Sequence, residues 1–331
     1  MPGSGKFCPD LILLPHTSGL YGKVSRQMFD ICETLTPLVQ RNSIDEGYLD
    51  LSLCGFKTVQ EIDRRLRGVQ QKLWDELQVP TSFGIASNKL VSAIASKARK
   101  PRGFTIVQPG EESAFLAPLK ISVIPGVGKK SEIRLAESGI RLVSDLFSRS
   151  ESELKELFGN SWLEMLRMAR GEDDRVVEIE HEDAKSYSTQ ETFGGDIGDH
   201  SEIERIAKRM IDELMPKIRE DGKRVKTMTV KIRYPGMEDT SAARSLDVAT
   251  DLEAPFYPLV TPLLKIAWTK RRPLRLVSVR FSNVEGKGSQ LEMFAQSDDK
   301  KRRLAAVLDK LNDRGKKSVV QHGHQLNSSE E

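Results

Sequence analysis

Ser43-Ile44-Asp45-Glu46-Gly47-Tyr48-Leu49-Asp50 sets two neighbouring acids where one extended stretch gives way to the next. Upstream, Leu38-Val39 opens an extended segment after Pro37. Downstream, residues 48–53 alternate as a half-buried strand does. Neighbours in mid-strand point to opposite faces, whereas at a hairpin tip both carboxylates can turn toward one point. Converging hard oxygens suit Mg²⁺, which leaves its other positions to water and substrate phosphate. A two-metal site stabilises both the attacking and the leaving oxygen of a phosphoryl transfer. An Asp-Glu pair taken alone is more often an ordinary acidic turn, so the surrounding chain decides.

Working outward, residues 20–36 carry Leu20, Val24, Met28, Ile31 and Leu35 at helical spacing, and residues 57–77 return to that period. Phe83-Gly84-Ile85 reads as a short strand and Asn88 to Arg99 as a helix stopped by Pro101. This α-β-β-α-β-α order predicts one mixed sheet with covering helices over residues 1–106. The next domain, 107–175, reads as wholly helical over 112–170, in pieces broken at Pro118, Pro125-Gly126, Gly139 and Gly159; a polar linker over 176–184 follows. Residues 185–284 change pattern to βαββαβ, a split-sheet α+β module. The tail, 285–331, holds one amphipathic helix through Leu304, Val307, Leu308 and Leu311. The expected fold class is α+β and multidomain.

Three further stretches suggest contacts. Ile124-Pro125-Gly126-Val127-Gly128-Lys129-Lys130 reads as a helix-hairpin-helix turn. Its glycines, Gly126 and Gly128, let backbone N–H groups approach a phosphate at a helix start, and Lys129 and Lys130 add charge. In the split-sheet module, Thr227, Thr229, Lys231 and Arg233 share one strand face while Met228, Val230, Ile232 and Tyr234 share the other. The apolar face packs on helices, and the polar face is left open; Arg244 and Arg280 on neighbouring strands are expected to join it. A basic open sheet grips sugar-phosphate without reading sequence. In the tail, Gln290-Leu291-Glu292-Met293-Phe294 offers a glutamine with spaced apolar anchors, the form of a peptide that docks in a groove.

Bulk properties narrow the class only a little. The 331 residues carry a net charge of +3. Its distribution says more: +4 over 1–105, −6 over 106–184, +4 over 185–284 and +1 beyond. Two basic blocks suit a polyanion, or simply solvated surface. No run of 18 apolar residues exists to span a membrane, and a cytoplasmic protein is expected. Cys8, Cys32 and Cys54 lack metal-ligand spacing and are too few for a disulfide framework.

Together these stretches resemble the Y-family translesion DNA polymerases, of the DNA polymerase IV type. Residues 43–50 resemble the family's palm signature, with Gly47 in place of the usual Ala. Cys8-Pro9-Asp10 and Tyr21 to Ser25 resemble the segment leading into the palm helix. Gly84 to Leu90 and Lys100-Pro101-Arg102-Gly103 resemble the next palm motif, and residues 124–140 the thumb. Arg275-Leu276-Val277-Ser278-Val279-Arg280-Phe281-Ser282 resembles the little finger. The family's usual Lys-Ile-Ala-Ser-Asp reads Ala93-Ile94-Ala95-Ser96-Lys97 here, losing a lysine at 93 and exchanging acid for base at 97.

The resemblance implies template-directed nucleotidyl transfer past damaged DNA. Asp45 and Glu46 would hold Mg²⁺, with Asp45 bridging the metals, and Lys100 would contact the incoming deoxynucleoside triphosphate. Primer-template DNA would lie against the thumb and little finger, residues 290–294 would engage the sliding clamp, and the chain would work as a monomer. The family normally opens with a palm strand bearing another metal-binding aspartate, then a fingers domain. Nothing before Cys8 resembles either, so the expectation is an N-terminally truncated polymerase with one Asp ligand missing. A non-catalytic DNA- and clamp-binding paralogue is the alternative, and an unrelated helix-hairpin-helix repair protein a more distant one.

Overall fold

A computed structural model of the chain describes residues 8, 10–12, 14, 15, 17, 19–179, 183–286, 299–313, 320 and 323. The chain divides into two compact units, Met1–His181 and Glu182–Glu331. No helix among the described residues is long and apolar enough to cross a membrane.

In the first unit, helix α1 (Leu20–Glu33) leads into strands β1 (Val39–Arg41) and β2 (Gly47–Leu49), which pair antiparallel. Helix α2 (Val59–Leu77) starts at Thr58, whose side chain accepts the Glu61 N–H, a normal N-cap. Strand β3 (Phe83–Ile85) pairs parallel with β4 (Phe104–Ile106), and helix α3 (Lys89–Lys97) crosses between them, capped by Asn88 through the Val91 N–H. Met28, Phe29, Ile31, Cys32, Val39, Val69 and Leu73 form the core under these elements.

The structure corrects the expectation of one mixed sheet. The strands form two separate two-stranded ladders, β1–β2 and β3–β4. Each strand is only three residues long, and among the described residues the two ladders share no hydrogen bond. The strand expected over 48–53 also stops early. The Asp50 carboxylate accepts the Ser52 N–H, and Cys54 N–H returns to Leu51 O, so the chain turns.

Four short helices follow, α4 (Glu112–Leu116), α5 (Lys129–Glu137), α6 (Glu151–Phe158) and α7 (Trp162–Ala169), with 3₁₀ turns between them. Ser150 and Glu153 cap α6 reciprocally. Leu116, Ile121, Ile124, Leu135, Ile140, Val143 and Leu146 fill the helical core, and α3 contributes Leu90, Val91, Ile94 and Ala95 to it. Burying each such aliphatic side chain contributes about 1.5–3 kcal/mol.

The second unit is βαββαβ: β5 (Ser186–Ile197), α8 (His200–Glu220), β6 (Lys223–Arg233), β7 (Asp239–Thr250), α9 (Tyr257–Ala267) and β8 (Leu274–Gly286). The antiparallel sheet runs β5-β8-β6-β7. Helices α8 and α9 cover one face, packing Ile203, Ile211, Leu214, Val260 and Leu263 against Met228, Val230, Ile232, Val279 and Phe281. Helix α10 (Asp299–Asp313) docks on this unit through Arg219, which donates to both Asp309 carboxylate oxygens at 2.7 and 2.8 Å, and through Arg302, which bonds Asp251. Ala305 is buried there, whereas Leu304, Val307 and Leu311 are exposed.

Candidate functional site

The β1–β2 turn holds Asp45 and Glu46 at an exposed tip. Ser43 organises it. Its hydroxyl donates to Asp45 Oδ1 at 2.6 Å and accepts the N–H groups of Asp45 and Glu46, while the N–H groups of Asn42 and Ser43 return to Glu46 O. A side chain that replaces backbone partners in this way fixes a turn without a ladder. Gly47 is required where it stands: a Cβ there would lie 2.6 Å from Phe29 Cε1 and 2.7 Å from Gln40 O.

Glu46 Oε1 lies 3.9 Å from the Lys97 ammonium, at the last residue of α3. The base that departs from the family pattern therefore faces the candidate metal-binding acid. Lys100 is exposed just beyond, before Pro101; next to it the Arg102 guanidinium lies 4.4 Å from the Trp74 ring centre. Among the described residues Lys100 has no hydrogen bond or ion pair, so its ammonium is available to an anion.

Asp45 and Glu46 are two adjacent, exposed oxygen donors, of the kind that fits Mg²⁺ when water and phosphate complete its octahedron. Among the described residues, no three His, Cys, Asp or Glu side chains gather into a closed metal cage.

In the helical region, Gly126 takes φ +90° and Gly128 caps α5 without a side-chain bond. Lys129 and Lys130 are exposed at the first turn, over buried Ile124 and Val127. The leading N–H groups of α5 thus face outward at the positive end of the helix, beside two cations.

In the second unit, Thr227, Thr229, Lys231 and Arg233 of β6 lie on the face away from the helices, and Arg280, paired with Thr229, joins them. Arg244 does not. It sits directly opposite Met228 across β6–β7, and paired residues of an antiparallel ladder share a face. Arg244 leaves the edge strand on the helix-covered side, so the expectation that it joins the open face is corrected by register. That face is also less positive than its residue count suggests. Asp239 takes both Arg233 (2.6 and 2.9 Å) and Lys231 (3.8 Å), and the Arg233 guanidinium holds its carboxyl below the ordinary aspartate value. Arg280 is exposed and, among the described residues, unpaired. Gln290, Leu291, Met293 and Phe294 lie outside the described residues.

Sequence reasoning missed Lys89. It is only 9% exposed, and donates to Gln40 Oε1 at 2.7 Å and Val176 O at 2.9 Å. A lysine at the start of an amphipathic helix reads as surface, and no sequence signal marks this one as interior.

Comparison with known proteins shows the family of the chain. Residues 1–97 match the impB/mucB/samB family, 184–293 that family's C-terminal domain, and 122–173 a DNA polymerase-iota thumb domain. The DNA polymerase IV of Opitutus terrae is 67% identical over 322 residues, 97% of this chain and 82% of that protein. The chain belongs to the DNA polymerase IV family. The family is one of DNA-directed DNA polymerases within the Y family, as the sequence resemblance implied. The DNA polymerase IV of Methanoculleus marisnigri is 33% identical over 86% of this chain and 79% of its own length. Among solved structures, a Y-family chimera of Dbh and Dpo4 shares the fold with a TM-score of 0.76 at 24% identity, covering 85% of this chain and 81% of its own. An insertion ternary complex of Dbh DNA polymerase follows with a TM-score of 0.57 at 23% identity, covering 85% and 81%.

Proposed function

We propose that this chain performs template-directed nucleotidyl transfer on damaged DNA, as an error-prone translesion polymerase working through a two-metal centre at Asp45 and Glu46. The observation that carries the reading is the exposed Asp45–Glu46 pair, fixed by Ser43 at the tip of the β1–β2 turn. In this reading Asp45 and Glu46 hold Mg²⁺, which when bound supplies positive charge to the reacting phosphate. Lys100 orients the triphosphate of the incoming deoxynucleotide. The primer 3′-oxygen attacks the α-phosphorus, the bond to the bridging oxygen breaks, and pyrophosphate leaves with that electron pair.

The remaining parts are grips. The α5 N-terminus, with Gly126, Gly128, Lys129 and Lys130, takes a DNA phosphate. The open sheet face takes others through Thr229, Lys231, Arg233 and Arg280, independently of sequence. Residues 290–294 engage the sliding clamp, and the chain acts as a monomer in the cytoplasm.

The test is primer extension with Mg²⁺, one deoxynucleotide at a time, on undamaged and abasic templates. Wild-type extension lost in both Asp45→Ala and Glu46→Ala is the expected result. Extension that survives either substitution would remove the carboxylate pair from the chemistry.

A further inference from the structure

The hairpin that carries the two acids is short. Strands β1 and β2 share three residue pairs, one of them Gln40 with Tyr48, and this ladder has no third strand among the described residues. A two-stranded ribbon of that length is marginal by itself. Something else must hold the acids steady to the fraction of an ångström that phosphoryl transfer needs.

Lys89 occupies the place where such a hold would act. Its ammonium is buried, and among the described residues its hydrogen-bond partners are neutral: the Gln40 side-chain carbonyl on β1 and the Val176 backbone carbonyl. It also lies 5.1 Å from the ring centre of Tyr48 on β2. Gln40 Oε1 accepts a second bond, from the Glu178 N–H at 3.0 Å. One lysine therefore touches both strands of the hairpin and the chain that leaves the helical region.

That outgoing chain is itself fastened to α3. Asn88 Nδ2 donates to Gly171 O at 2.7 Å, the Leu90 N–H donates to Asp173 Oδ2 at 2.8 Å, and Arg175 pairs with Asp173 at 2.7 Å. Asp173 and Arg175 also act on the Tyr48 hydroxyl, whose pKa is raised chiefly by its burial. Burying an ammonium without a carboxylate is costly, and a methionine would fill the same volume more cheaply. The charge stays because its directed N–H bonds do what an apolar side chain cannot.

We propose that Lys89 is a positioning residue for nucleotidyl transfer: it ties the β1–β2 hairpin to residues 171–178 and so fixes Asp45 and Glu46. This rests on the polymerase reading above. The ammonium contacts no reacting atom, and acts through Gln40 and Tyr48.

Lys89→Met keeps the packing and removes the bonds; Gln40→Leu removes them from the other side. Asn88→Ala serves as the structural control, because it breaks the cap and the Gly171 bond but leaves the hairpin's own tether in place. Single-nucleotide insertion is measured for each, together with amide hydrogen exchange at Asn42, Ser43 and Glu46. Lys89→Met is expected to lower kcat about 10-fold, with the KM for deoxynucleotide changed less than about 2-fold by the same logic of misplacement without lost binding. Exchange at the three hairpin amides should quicken, and Lys89→Met with Gln40→Leu should be no worse than either alone.

Unchanged exchange at those amides in Lys89→Met overturns the proposal. So does a kcat matching that of Asn88→Ala at equal loss of thermal stability, or a double variant whose losses multiply. A wild-type chain that inserts nothing sinks the polymerase reading instead, and hydrogen exchange then decides the tether by itself.

Discussion

The Lys97 ammonium stands 3.9 Å from the Glu46 carboxylate, joining the end of α3 to the tip of the acidic hairpin. Both side chains are more than half exposed, at 59% and 52%, so water screens the pair and its strength is that of an ordinary surface contact. Its effect is competitive: a cation that neutralises Glu46 lowers that carboxylate's pull on a metal. Lys97→Ala should reduce the Mg²⁺ concentration at half-maximal extension by about 2- to 5-fold, the range a surface ion pair allows. A Mg²⁺ titration of primer extension reads it, and an unchanged midpoint would remove Lys97 from the metal's balance.

The register of the second unit separates two arginines that the sequence grouped. Arg280→Ala should weaken binding to primer-template duplex and lower the slope of log affinity against log salt by about 1, the value of one lost phosphate contact. Arg244→Ala should leave the slope unaltered, since Arg244 leaves the sheet on the other side. Fluorescence anisotropy across a salt series distinguishes them. Equal slopes for both variants would place DNA elsewhere on this unit.

Gly84 is where β3 presses on α3. A Cβ there would lie 2.0 Å from Ser92 O and 2.3 Å from Ser96 N, both backbone atoms that cannot swing away. Gly84→Ala should cost about 3 kcal/mol of stability by overpacking. At Gly126, where φ is +90° but nothing lies within 4 Å, alanine should cost only about 1 kcal/mol, through backbone strain. Urea unfolding of the two variants tests the ranking, and a Gly126 variant as damaged as the Gly84 one would contradict it.

Burial pushes the Cys32 thiol up to about 11 from an ordinary value of 9.0. The folded chain therefore keeps that proton between pH 9 and 11 while the unfolded chain sheds it. Stability from this group is complete below about pH 9 and declines as pH rises toward the folded value. At pH 8 a thiol reagent should modify exposed Cys8 quickly and Cys32 only after denaturant is added. Rapid labelling of Cys32 in the native chain would show that the α1 core opens readily.

Much of this was legible in the residues. The period-two run at 227–234 placed Thr229, Lys231 and Arg233 on one face and Met228, Val230 and Ile232 on the other, as the structure has them. The helix start at Asn88 was legible too, and the Asn88 side chain caps it there. Parity across a hairpin was not legible. Where Arg244 points depends on which β6 residue it opposes, and that is set by the turn between Arg233 and Asp239, from which the pairing runs unbroken to Met228↔Arg244. Strand β4 was missed because three residues carry too little pattern to show a strand whose parallel partner lies 21 positions earlier. Lys89 was missed for a different reason: the backbone carbonyl that stabilises it belongs to residue 176, and nothing in the chain's spelling connects the two.

Asp239 already occupies Arg233 and Lys231 before any nucleic acid arrives. A phosphate reaching those cations has to displace a resident carboxylate, so each such contact is an exchange of one anion for another, with a smaller net gain. On the proposed reading, such a face would hold a duplex less tightly than its count of cations suggests.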